Sequence, residues 1–333
     1  MTKLAVVLFN LGGPDCPEAV EPFLFNLFND AAIIGIPQPF RWLLAKLISR
    51  RRAPVAQGIY ARIGGRSPLL PETEAQAGAL EAALGPDARV FIAMRYWHPF
   101  TEETVAEVKA WGAQKVVLLP LYPQFSTTTT QSSLKCWHKA AAKAGLDART
   151  ETICCYPVAA GMIAGFAEGV RAGLAEAAEF GPPRVLFSAH GLPKKVVDRG
   201  DPYPSQVAKT AAAVAESAGS LDWIVCYQSR VGPLEWIGPS LEVELERAAR
   251  DRVPVVVVPI AFVSEHSETL VELDIEYRHR AGSLGVPGYV RVPAIGRHPA
   301  FIAALAELVR QPGGGRGMAC GDAGRGRICR EGP

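Results

Sequence analysis

Glu268, Glu272 and Glu276 recur at every fourth position within residues 264–277. On a helix that spacing lines three carboxylates along one face. Such neighbours repel by roughly a few tenths of a kcal/mol per pair even on an exposed helix. His266 stands two residues ahead of the first of them. The acidic line begins just after Val255-Val256-Val257-Val258-Pro259-Ile260, an apolar β-branched run that reads as a buried strand. Carboxylates massed at the carboxyl end of a buried strand suit the handling of cations. The same line also fits a solvated helix face, with Leu270 and Leu273 supplying the buried side. A second chemical group, Phe187-Ser188-Ala189-His190-Gly191-Leu192-Pro193, sets a histidine beside a glycine where another strand should end. Imidazole takes up and releases protons near neutral pH and ligates Fe, Zn, Cu or Ni. A neutral histidine with carboxylates suits Fe²⁺ with open coordination positions; a histidine held by hydrogen bonds at a turn is the plainer reading.

These residues need elements to position them. Apolar, β-branched runs predict strands over 4–9, 89–94, 115–119, 184–188, 223–227, 255–260 and 289–292. Between them, Ala/Glu-rich stretches predict helices over 72–84, 101–111, 163–179, 204–218 and 241–250. Strand and helix in alternation is the pattern of parallel α/β units, and both halves begin alike. The expected fold is α/β, two doubly wound domains over 1–150 and 151–310, with a ligand held in a cleft outside the strands' carboxyl ends. The last helix of the second domain is expected to pack back on the first. Residues 311–333, rich in Gly and Arg and without periodicity, read as a flexible tail.

Residues 33–52 stand apart. Ile33, Ile34, Ile36, Phe40, Trp42, Leu43, Leu44, Leu47 and Ile48 are apolar, and Arg50-Arg51-Arg52 closes the run. A helix packed into the core is the favoured expectation. The other is an amphipathic lip that covers an apolar ligand or touches a membrane surface, with the arginines meeting anions.

Composition narrows the class. With 35 basic against 33 acidic residues, the net charge of +2 gives no reason to expect nucleic acid. No apolar run reaches the roughly 18 residues of a membrane span, and the first residues read as a strand rather than a signal peptide. Seven irregularly spaced cysteines make no disulfide framework in a chain of 333 residues. The cytoplasm is the expected compartment, with possible contact to the inner face of a membrane through 33–52. Oligomeric state leaves no mark on the sequence.

Several loops gather at predicted strand ends. They are Asn10 to Pro14, Tyr60 to Pro68, Met94-Arg95-Tyr96-Trp97-His98-Pro99, Leu119 to Ser126, and Tyr227 to Pro233 with Trp236. Together with Ser188 to Pro193 and Val258 to Tyr277, in this order, the chain closely resembles ferrochelatases, which insert ferrous iron into a porphyrin. The resemblance runs from the first strand to about residue 300 and is carried most specifically by Ser-Ala-His-Gly-Leu-Pro and the 265–277 segment.

That resemblance implies two flavodoxin-like, chelatase-type domains with the porphyrin between them. It assigns His190 and Glu268 to the central metal and proton-transfer site, with His266 in the same cluster. Glu272 and Glu276 continue a carboxylate path on a helix that the family winds as a π-helix. Leu11, Arg51, Arg52, Tyr60, Ser67, Arg95, Tyr122 and Trp236 match positions that line or flank the porphyrin pocket. The implied reaction is Fe²⁺ insertion into protoporphyrin IX with release of two protons, the terminal step of haem formation. Fe²⁺ is a substrate there and no cofactor is required. Some relatives hold a [2Fe–2S] cluster on four cysteines. This chain offers Cys320 and Cys329, with adjacent Cys154 and Cys155, but has Thr127 where animal enzymes place a ligand. Unligated cysteines are therefore the favoured expectation. Coproporphyrin III as substrate, or cobalt as metal, fits the same scaffold. Readings of another class are a porphyrin or haem carrier without catalysis and a periplasmic-type binding protein. An intact His190 and Glu268 argue against the carrier, and the missing signal peptide against the binding protein.

Overall fold

A computed structural model describes residues 3–311, apart from 220, 230, 231 and 233. The expected tail, with Cys320 and Cys329, therefore lies outside the described residues, as do Arg230, Val231 and Pro233 of the loop before Trp236.

Runs such as Leu4-Ala5-Val6-Val7-Leu8-Phe9 are apolar on both faces of the pleat, which suits strands covered on both sides by helices. They form two four-stranded parallel sheets. The first contains β1 (Leu4–Asn10), β2 (Ala88–Met94), β3 (Lys115–Pro120) and β4 (Arg149–Thr152), in the order β2-β1-β3-β4. The second contains β5 (Arg184–His190), β6 (Asp222–Gln228), β7 (Val255–Pro259) and β8 (Tyr289–Arg291), in the order β6-β5-β7-β8. Each order reverses direction beside its first strand, so the switch points fall between β1 and β3 and between β5 and β7. Ligands of open α/β sheets bind at such points, outside the carboxyl ends.

Among the described residues the chain divides into two compact units, the first running to Cys154 and regaining residues 308–311, the second spanning Cys155–Glu307. The core of each is its central strands; Val255, Val256, Val257 and Val258 are fully buried, as are Ala5, Val6, Val7 and Leu8.

The predicted strands all form, within two residues at their ends. Strand β4 was not expected. Its sequence Arg-Thr-Glu-Thr is polar and half exposed, because it pairs with β3 alone at the sheet edge. Helices Val20–Phe28 and Thr130–Ala144 likewise go beyond those anticipated; the last helix is Pro299–Arg310.

The favoured core placement of 33–52 is overturned. Helix Phe40–Ala61 buries only Ala45, Ser49, Ala53 and Tyr60, a seam of mostly small residues at helical spacing that lies on helix Val20–Phe28. Most of its large apolar residues point elsewhere: Phe40 is 67% exposed and Leu43 57%, with Leu44 and Leu47 also exposed, beside Ile33 and Ile36 from the preceding loop; Trp42, also exposed, meets Phe25 edge-on. Small residues permit close helix approach, and the bulky ones are thereby left on the outer side. Ala45→Leu should overpack the seam and cost about 1–3 kcal/mol. Leu43→Ser should stay within about 0.5 kcal/mol of the parent. Urea midpoints of the two variants compare these directly.

Candidate functional site

In the second unit, His190 is the last residue of β5, and β5 lies between β6 and β7. Glu268 opens a ten-residue π-helix, Glu268–Tyr277, reached from β7. Both therefore stand at the switch point. In an α-helix, residues four apart drift by about 40°; the wider i→i+5 winding holds Glu268, Glu272 and Glu276 closer to a straight line. The line runs outward, from half-buried Glu268 and Glu272 to exposed Glu276.

His190 Nδ1 lies 2.8 Å from Glu268 Oε2. The histidine side chain is 40% exposed and that of Glu268 30%. A carboxylate at Nδ1 favours the tautomer with its proton there, leaving Nε2 as the basic nitrogen with its lone pair. Burial disfavours charge on His190, but Glu268 outweighs it and raises the imidazole pKa. Burial likewise opposes ionisation of Glu268, yet the charge and hydrogen bond of His190, then His266 and Ser229, hold that carboxyl well below its ordinary value. His266 differs: burial lowers its pKa, its Nδ1 lies 3.4 Å from Thr269 Oγ1, and its ring tilts against Phe262 at 4.7 Å.

Glu272 is held by residues at the end of β6. Its Oε1 accepts the Ser229 amide at 2.8 Å, and its Oε2 accepts Gln228 Nε2 at 3.1 Å and the Ser229 hydroxyl. The same hydroxyl reaches Glu268 Oε2 at 3.1 Å. Gln228 Nε2 also donates to the Glu268 carbonyl at 3.1 Å, and Gln228 Oε1 accepts from Ser188 Oγ at 2.7 Å. Ser229 sits at φ +62°, a left-handed conformation costing an L-residue about 1–2 kcal/mol. One serine proton faces two carboxylates, so a proton on Glu272 relieves the crowding. Burial and then the Glu268 charge push Glu272 up to about 7. Trp236 is placed nearby by backbone bonds that lace its loop to the one following His190: Lys194 N to Glu235 O at 2.8 Å and Ile237 N to Leu192 O at 3.0 Å.

In the first unit, the loop after β1 is the hub. Arg95 and Tyr96 amides donate to the carbonyls of Asn10 and Leu11, each at 2.9 Å, and the Ser67 amide to Pro14 at 2.7 Å. Gly13 permits that approach, because a Cβ there would meet Ser67 Oγ at 2.4 Å. Leu11, Tyr60 and Tyr96 share an apolar cluster, and Ser67 and Tyr122 are buried. The Arg95 guanidinium is engaged by Asp30 Oδ2 and Ser132 Oγ, both at 2.8 Å. Asp30 also accepts from Tyr96 and Ser132 hydroxyls. Burial works against its charge, but Arg95 and these donors together hold its pKa down. Arg51 and Arg52 are exposed on helix Phe40–Ala61, and among the described residues neither has an ion-pair partner.

Sequence reasoning gave no role to Asp30, Ser132, Gln228 or Ser229. Gln228 and Ser229 stood at a predicted strand end, a signal equal to that of His190; the others carried none. Among the described residues, no three or more His, Cys, Asp and Glu side chains form a ready metal cage. Cys154, Cys155 and Cys226 are buried.

Two parallel α/β units of this kind make up the fold of a solved chelatase. SirB from Bacillus subtilis with Fe3+ shares this fold at a TM-score of 0.50 and 15% identity, over 97% of this chain and 98% of that one. The chain belongs to the ferrochelatase family, whose sequence model matches residues 3–312. Ferrochelatase of Caulobacter vibrioides is 57% identical over 314 residues, covering 92% of this chain and 90% of the relative. That of Phenylobacterium zucineum is 57% identical over 311 residues, with the same coverage.

The Glu272 shift has a sign. A carboxyl whose folded pKa is raised favours the native state at low pH, and the advantage is lost as pH rises from the unfolded value through the folded one. Glu272→Gln should therefore gain stability relative to the parent between pH 5 and pH 8. Urea midpoints at the two pH values check this.

Proposed function

We propose that this chain is a protoporphyrin ferrochelatase that works through His190 and Glu268. Metallation replaces two pyrrole N–H protons with one Fe²⁺: free-base porphyrin and Fe²⁺ give haem and two protons. The observation that carries this reading is the 2.8 Å contact of His190 Nδ1 with Glu268. It leaves Nε2 to accept a pyrrole proton while the carboxylate stabilises the imidazolium that forms. Glu272 and then Glu276 offer successive oxygen sites toward the surface, which bind Fe²⁺ loosely enough to release it or carry protons away. His266, kept neutral by burial, is a further nitrogen ligand in reach of that path. In the first unit half-buried Leu11 offers an apolar contact to a macrocycle, with Tyr60, Ser67 and Tyr122 buried in the same unit; in the second unit half-buried Trp236 does so. Arg51 and Arg52, exposed and uncommitted, suit its propionates, while Arg95, tied to Asp30, shapes the wall. No resident cofactor is needed for this chemistry.

Anaerobic incubation with Fe²⁺ and protoporphyrin IX should yield haem by absorbance, from protein whose own spectrum shows no iron–sulfur band. Coproporphyrin III and Co²⁺, run in parallel, rank the alternative substrates. His190→Ala should abolish turnover with porphyrin binding retained, and Glu268→Gln should cost at least about 100-fold. A near-normal rate in either variant removes that residue from the mechanism.

No helix among the described residues is long and apolar enough to cross a membrane. The exposed Phe40, Trp42, Leu43 and Leu47, with Lys46 and Arg50 to Arg52 on the same helix, favour a chain of the cytoplasm resting on an anionic membrane face. It should float with liposomes containing anionic lipid, and Leu43→Ser with Leu47→Ser should leave it in the pellet fraction.

A further inference from the structure

A π-helix is rare, and one of ten residues competes with ordinary α winding of the same sequence. Something outside the helix has to hold it. In the second unit Gln228, Ser229 and the Tyr289 hydroxyl bond the helix at single points, and one side chain on the neighbouring strand ties it to the segment before it. Arg291 ends β8, where it pairs with Val257 of β7, and its side chain is only 8% exposed. Its Nε donates to Asp274 Oδ1 at 2.9 Å, and its second guanidinium nitrogen grips the other oxygen of Asp274. The remaining nitrogen donates to Glu265 Oε1 at 2.6 Å, an oxygen that also accepts the Ala294 amide at 2.8 Å. One planar guanidinium thus spans two carboxylates nine positions apart.

Glu265 precedes the π-helix, and Asp274 lies seven residues into it. Between those two anchor points stand Glu268 and Glu272. Relaxation to α winding would turn Asp274 and Glu272 about the helix axis relative to Glu265 and Glu268. The fork on Asp274 would then break, and Glu272 would swing off the Ser229 amide and Gln228. A fork–fork pair tolerates such rotation poorly, because both bonds need the two planes aligned. A lysine supplies the charge as a point and lacks that constraint.

We propose that Arg291 is a positioning residue for metal insertion: by bridging Glu265 and Asp274 it fixes the π winding that sets Glu268 and Glu272 in register. This rests on those two glutamates being the working carboxylates. Arg291 itself touches neither of them.

The test compares Arg291→Lys and Asp274→Asn with the parent enzyme, in anaerobic haem formation and in hydrogen exchange read by peptide mass. Asp274→Asn breaks the same clamp from the helix side and is the informative variant if Arg291→Lys does not fold. Parent turnover checks the proposed reaction independently of the clamp. The expected result is a fall in kcat of about tenfold or more with porphyrin KM within twofold. Exchange over 268–277 should accelerate while β5 and β7 stay protected. A kcat within twofold of the parent in a folded variant overturns the proposal. So does faster exchange spread evenly over the whole unit, since that is the mark of a merely structural ion pair.

Discussion

Two carboxylates on one helix face repel each other unless their charge is answered from off the helix. Much of the second unit follows from meeting that demand at Glu268 and Glu272. His190 answers the first with a shared proton, and Gln228 with Ser229 answers the second from the end of β6. The answers differ in kind, so the two groups titrate apart, one held down and one pushed up. Groups of one chemistry driven apart by their surroundings can take different parts in moving protons. The parallel sheet supplies the means. Its switch point brings the ends of β5, β6 and β7 together, although 190, 228 and 268 are far apart in sequence.

The first unit solves a different problem, that of shaping a wall from loops. Backbone hydrogen bonds between the ends of β1 and β2 and the turn at Ser67 do most of this, with Gly13 allowing the chains to meet. Asp30 then ties Arg95, Tyr96 and Ser132 into one charge-compensated knot. An arginine held on two sides keeps little side-chain freedom.

How much of this was legible in the sequence depended on range. The strands of both sheets were, because parallel strands covered on both faces are continuously apolar. The histidine and the carboxylate line were legible as residue types at telling places, and the order of loops pointed to the family. Strand β4 was not, since an edge strand needs no apolar run. The exposure of Phe40, Trp42, Leu43 and Leu47 was misjudged because hydrophobic content was read as burial; the seam of Ala45, Ser49 and Ala53 was the better guide to the packed side. Asp30, Ser132 and Arg291 act through partners between 17 and 102 positions away, a distance at which spacing carries no signal.

Leu308 to Arg310 belong to the first unit, and Arg310 bonds the carbonyl of Ala83 there. During synthesis the first half of the protein emerges long before those residues. It must wait, incomplete, until the ribosome has made the second half, even though domains usually fold in order from the N-terminus. Its central pairing of β1 with β3 already closes a loop of over a hundred residues, which makes folding slow. A truncation near the C-terminus would therefore strike the oldest part of the nascent chain rather than the newest.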